Sequence, residues 1–131
     1  MMNRRWTDEQ VAGQRLLVGF DGKSFNEDLK FLIGELMVGG LIIFARNIET
    51  PEQVRDLCRS CQDYAAKQDL PPLFIAVDQE GGRVARLRAP FTEWPAMAAL
   101  GRAEPEEGTQ LGVEAINDLF TAVERARSSS R

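Results

Sequence analysis

Residues 41–78 read LIIFARNIETPEQVRDLCRSCQDYAAKQDLPPLFIAVD. The stretch opens with Leu41-Ile42-Ile43-Phe44 and closes with Leu73-Phe74-Ile75-Ala76-Val77, two apolar runs without polar alternation. Strands of this kind are buried on both faces, which favours a parallel sheet covered by helices. Between them, Thr50-Pro51-Glu52-Gln53 predicts a helix start. Thr50 is the N-cap, Pro51 suits the first helical position, and Gln53 completes a capping box. The helix is expected to reach about Lys67, with Val54, Leu57, Cys58, Cys61 and Tyr64 or Ala65 on one face. Pro71-Pro72 stops the chain before the next strand. The stretch therefore predicts one complete strand–helix–strand unit.

Upstream the same rhythm appears. Thr7 and Gln10 form a capping-box pair at the head of a first helix. Leu16 to Phe20 is expected to be a buried strand, closed by an Asp21-Gly22 turn. Ser24 is expected to cap a second helix, with Leu29, Leu32, Ile33 and Leu36 recurring at three and four residues and Gly39-Gly40 ending it. Downstream, the text after Pro90 is loop-like through Trp94-Pro95, a helix is expected over about 105–127, and the last four residues should fray. Two strand–helix–strand units in a row imply right-handed crossovers and a parallel sheet. A (β/α)₈ barrel needs eight strands and typically about 250 residues. The 131 residues hold about three strands, so the expectation is a single α/β domain, either small and open or the opening segment of a barrel.

Composition narrows the chemistry. The chain is 44% hydrophobic and 27% charged, which suits a packed core rather than disorder. Its net charge is −4, which argues against a general nucleic-acid binder. It has no histidine, which removes a Ser-His-Asp triad, a Cys-His pair and a His-ligated zinc from within these residues. Cys58 and Cys61 form a C-x-x-C in mid-helix, where a redox pair would need a helix N-terminus and a zinc site a second pair. No signal-peptide core follows the basic N-terminal residues, and a cytoplasmic location is expected.

In parallel-sheet folds ligands bind beyond the C-terminal ends of the strands. This sequence sets Asp21-Gly22 after its first strand and Arg46-Asn47 after its second. After the third come Asp78, Gln79, Glu80, Gly81, Gly82 and Arg83, with Arg86 and Arg88 following. Carboxylates accept from hydroxyls and guanidinium groups donate to them, so the set suits a hydroxyl-rich ligand such as a sugar. Each feature also has a plainer reading. Asp21-Gly22 is an ordinary turn, Arg46-Asn47 a polar loop, and the three arginines a solvated strand face. Asp78, placed directly after an apolar strand, is the firmest candidate. The two-residue spacing of Asp78 and Glu80 sets no separation across a glycosidic bond.

These residues carry a resemblance. VGGLIIFARNIETPEQVRDL and LFIAVDQEGGRVARLRAPFTEWPAMAALG resemble the N-terminal part of glycoside hydrolase family 3, over about residues 16–114. Within that family the likeness is to bacterial cytoplasmic β-N-acetylglucosaminidases (β-hexosaminidases) of cell-wall recycling. The resemblance implies a partial (β/α)₈ TIM barrel and a retaining hydrolase that removes terminal β-linked N-acetylglucosamine without metal or other cofactor. It implies substrate-binding roles for Asp78 and Arg86, and no definite role for Arg83. It also implies a general acid/base histidine on a mobile loop and an aspartate nucleophile, both downstream of the matching block. Neither is expected among these residues, and 115–131 read as divergent helix and tail. The resemblance therefore implies a truncated member that holds part of a sugar site for an N-acetylglucosamine-containing oligosaccharide or muropeptide. The alternative is a non-catalytic sugar-binding or assembly fragment. An open three-strand sheet would leave an unpaired edge, and self-association could follow from it.

Overall fold

A computed structural model describes residues 6–102. The chain divides into two compact units, Met1–Asp78 and Gln79–Arg131. The helix expected over 105–127 and the tail lie outside the described residues.

The first unit begins with helix α1 (Asp8–Gly13). Its cap is the expected reciprocal one: Gln10 N–H donates to the Thr7 hydroxyl at 3.2 Å, and Thr7 N–H donates back to Gln10 Oε1 at 3.0 Å. Strand β1 (Leu17–Gly19) follows, then helix α2 (Glu27–Lys30), which widens into a π-helical turn over Phe31–Glu35. Strand β2 (Gly40–Ile43), helix α3 (Pro51–Lys67) and strand β3 (Phe74–Val77) complete the unit. The sheet is parallel throughout, in the order β1-β2-β3, with Gly19 paired to Ile42 and Ile43 to Val77 at its carboxyl end. The α/β class and the parallel sheet read from the apolar runs are what the chain forms.

Burial corrects one expectation. Only β2 is enclosed, because it alone among the described strands of this sheet has a neighbour on both sides. β1, expected to be buried, runs exposed, half-buried, exposed, and Leu17 keeps half its surface. Phe74 at the head of β3 is 78% exposed. The core sits between sheet and helices, where Leu29, Ile33, Leu41, Leu57, Cys61 and Ala65 are buried. Each Leu or Ile removed from water in this way contributes about 1.5–3 kcal/mol. The predicted α3 face is correct: Leu57, Cys61 and Ala65 are buried, and Val54, Cys58 and Tyr64 flank them.

The caps differ in two places. α2 starts on Asn26, not Ser24, because the Asn26 side chain accepts from Leu29 N–H at 3.0 Å while its own amide donates to the Asp21 carbonyl at 3.0 Å. Its helical run ends at Met37, which takes a left-handed φ of 51°. Gly39 and Gly40, expected to end the helix, serve close packing instead. A Cβ on Gly39 would strike the Gln14 carbonyl, and one on Gly40 the Phe74 carbonyl and the Leu17 side chain. At α3, Thr50 caps as expected, accepting from Gln53 N–H at 3.1 Å. The Gln53 side chain turns outward from the box: it accepts from Glu49 N–H and donates to the Asn47 carbonyl.

The second unit opens with a small antiparallel hairpin, β4 (Gln79–Gly81) against β5 (Val84–Ala85). A short helix α4 (Met97–Leu100) follows a loop that spans Trp94-Pro95, as expected there. No helix among the described residues is long and apolar enough to cross a membrane.

Candidate functional site

The carboxyl ends of β1, β2 and β3 lie side by side, and each hands the chain to polar residues. After β1 comes Phe20, buried, then exposed Asp21 and a turn at Gly22 with φ 98°. After β2 comes Phe44, then a single 3₁₀ turn over Ala45–Asn47. After β3 comes Asp78, exposed at the strand's end.

Arg46 and Asn47, read from sequence as one polar pair, have separate tasks. Asn47 is fully buried. Its Nδ2 donates to the carbonyls of Phe20 and Gly22 at 3.1 and 2.8 Å, and its Oδ1 accepts from Phe44 N–H at 2.9 Å. Both donors and one of the two acceptor sites of the buried amide are thus filled, and the side chain ties the loop after β1 to the loop after β2. It is a scaffold for the site and does not face a ligand. Arg46 is the exposed member. Its Nε lies 2.7 Å from Asp21 Oδ1 and donates to the Phe20 carbonyl at 3.2 Å, and its guanidinium carbon stands 4.9 Å from the centre of the Phe44 ring.

In the second unit the block that follows Asp78 folds back on itself. Gly81 and Gly82 both have positive φ, 78° and 58°, conformations open to glycine with little strain. A Cβ on Gly81 would also collide with the Pro95 carbonyl. The Gln79 side chain clamps the returning strand. Its Oε1 accepts from the backbone N–H groups of Arg86 and Leu87 at 2.8 and 3.0 Å, and its Nε2 donates to the Leu87 carbonyl at 2.9 Å. Arg86 is thereby fixed at its backbone, and its side chain is partly buried. Arg83 sits exposed in the hairpin turn, and Arg88 Nη2 donates to the Gly82 carbonyl at 3.3 Å. The three arginines do not share one strand face as their alternate spacing suggested. The strand between them is only Val84–Ala85.

The cysteine pair lies in mid-helix, Cys58 half-buried and Cys61 buried, both as free thiols. Burial pushes the Cys58 thiol up, and burial together with neighbouring Cys58 pushes Cys61 up to about 12. Burial that disfavours the thiolate makes each a weaker nucleophile than a free thiol. Among the described residues, no group of three or more His, Cys, Asp or Glu is placed to hold a metal ion.

A three-stranded parallel sheet with helices between its strands and charged groups beyond its carboxyl ends places the chain in the α/β class, and the arrangement fits the opening of a (β/α)₈ barrel. More narrowly, residues 7–123 match the glycosyl hydrolase family 3 N terminal domain, and the chain belongs to that family. A β-hexosaminidase of Pseudomonas aeruginosa is 60% identical over 63 residues, covering 48% of this chain and 18% of the relative. Among solved structures, a family 3 β-N-acetylglucosaminidase from Paenibacillus sp. superposes with a TM-score of 0.72 at 43% identity, over 74% of this chain and 18% of that one. NagZ from Neisseria gonorrhoeae in complex with N-trifluoroacetyl-D-glucosamine superposes with a TM-score of 0.62 at 33% identity, over 71% of this chain and 26% of that one. The chain spans between about a fifth and a third of the length of the curated relatives it matches.

Proposed function

We propose that the chain is the opening segment of a family 3 β-N-acetylhexosaminidase domain and supplies part of the surface that binds a terminal β-linked N-acetylglucosamine. The observation that carries this reading is Asp78, an exposed carboxylate placed directly after the third of three adjacent parallel strands. A carboxylate there accepts hydrogen bonds from ring hydroxyls and fixes the sugar's orientation. Arg86, held at its backbone by Gln79, is the second substrate-binding residue, and its guanidinium donates to sugar oxygens. The general acid/base and the nucleophile of a retaining hydrolase are assigned to no residue of this chain. The reading extends to muropeptide substrates of peptidoglycan recycling and to a cytoplasmic location. It also extends to self-association through the outer strands, where half-exposed Leu17 offers apolar surface.

The test is an NMR titration of the whole chain with N-acetylglucosamine at millimolar concentration. Saturable shifts at the Asp78 and Arg86 amides, lost in Asp78→Ala with the rest of the spectrum intact, are the expected result. No shift at either residue sinks the reading. Light scattering checks the self-association: a monomer at every concentration removes that part alone.

A further inference from the structure

We propose that Asp21 and Arg46 form a second sugar-contact point beside Asp78, one that takes two neighbouring hydroxyls of an adjoining pyranose ring. The proposal rests on the sugar-binding reading above and extends it to residues outside the Asp78 block.

An exposed arginine normally samples many rotamers, and an exposed ion pair alone gains too little to stop it. Arg46 is held from three directions: by the Asp21 carboxylate, by the Phe20 carbonyl and by the face of Phe44. Gly19 makes room for this arrangement. A Cβ there would come within 2.9 Å of Phe44 Cε2 and 3.6 Å of Arg46 Nη2. The chain therefore fixes a charged side chain that is still 53% exposed, against a carboxylate that is 83% exposed. A donor and an acceptor preset in this way reduce the ordering cost that a ligand's binding would otherwise carry.

The chemistry follows from which atoms are used. The hydrogen bond and the ion pair both engage Nε. Neither contact uses the terminal nitrogens, which keep N–H groups to donate, and the Asp21 carboxylate keeps lone pairs to accept. Donor and acceptor stand next to each other. A hydroxyl both donates and accepts, so two neighbouring hydroxyls complement the pair. The opposite charges also offset each other, which favours a neutral ligand over a free anion. The position fits the same face as Asp78. Phe20-Asp21 continues β1, Phe44 to Arg46 continues β2, and Asp78 continues β3, three adjacent strands whose registers bring Gly19 beside Ile42 and Ile43 beside Val77.

The whole chain, labelled with ¹⁵N, is titrated with N-acetylglucosamine and separately with its β-1,4-linked dimer. The dimer is expected to shift both the Asp78 amide and the Arg46 Nε–H, and the monomer to shift the Asp78 amide and leave the Arg46 Nε–H unmoved. Arg46→Ala should weaken the dimer by about tenfold, the worth of one charge-assisted hydrogen bond, and the monomer by less than about twofold. Asp21→Asn, which keeps the side chain's shape, should weaken the dimer in the same direction and serves if Arg46→Ala does not fold. A dimer that shifts Asp78 and leaves Arg46 Nε unmoved overturns the proposal and leaves the sugar-binding reading standing. If neither sugar shifts Asp78, both fall together.

Discussion

Asn47 Nδ2 donates to the Phe20 carbonyl at 3.1 Å across 27 residues of sequence, from a side chain with no solvent exposure. The same amide group reaches the Gly22 carbonyl and receives the Phe44 N–H. Removing it takes those bonds from the Gly22 carbonyl and the Phe44 N–H, and leaves the Phe20 carbonyl with Arg46 Nε alone. Asn47→Leu should therefore lower unfolding free energy by about 3 kcal/mol, read from urea denaturation. Asn47→Asp keeps the acceptor and loses both donors, so it should be at least as damaging at pH 7. A loss under about 0.5 kcal/mol in either variant would show that the tie is dispensable.

The α2 segment offers a contrast within one helical face. Ile33 is fully buried, and Leu36, three residues on, keeps 43% of its surface. Ile33→Ala should cost about 2–4 kcal/mol, since the cavity adds to the lost burial, and Leu36→Ala well under about 1 kcal/mol. Equal losses at the two positions would contradict the burial described.

The thiols give a pH dependence with a definite sign. Cys61 is raised from 9.0 to about 12, chiefly by burial. The folded state holds the proton that the unfolded chain releases first. The stabilising contribution is whole below pH 9 and is lost as pH rises toward 12. At pH 8, iodoacetamide should label Cys61 far more slowly in the native chain than in urea. Equal rates would mean that α3 does not shield the thiol.

Gly81→Ala tests the hairpin. The residue has φ 78°, and its missing Cβ makes room for the Pro95 carbonyl. The substitution should cost about 1–3 kcal/mol locally, seen as faster hydrogen exchange at the β4 and β5 amides. Gly101, at φ −68° with open surroundings, is the control, and Gly101→Ala should leave those amides unchanged.

What could be read from sequence was local. Thr7 with Gln10, and Thr50 with Pro51, are caps whose donors lie three residues away, so spacing is enough to find them. The strand runs were legible because unbroken apolar character has few other uses. The failures involve partners far along the chain. Ser24 and Asn26 are both good caps, and the choice falls to Asn26 because its amide also meets the Asp21 carbonyl. Asn47 looks like any loop asparagine until the carbonyls of Phe20 and Gly22 are brought to it. The Gln79 clamp and the β4–β5 hairpin stayed hidden because two strand residues after Gly81-Gly82 are too few to show an alternation. Asp78 and Arg86 were nameable as candidates. The Asp21–Arg46 pair was not, since nothing in the spacing joins residues 25 apart.

The strand order carries a consequence for biosynthesis. β1, β2 and β3 are neighbours in space in the order they occur along the chain. Each strand leaving the ribosome meets a partner that has already emerged, and none must wait for a later one to be inserted between. The sheet can thus grow by addition at one edge, and its nascent form is a shorter version of the finished one. Such growth keeps loop closures short and limits the time that apolar strands spend unpaired during translation.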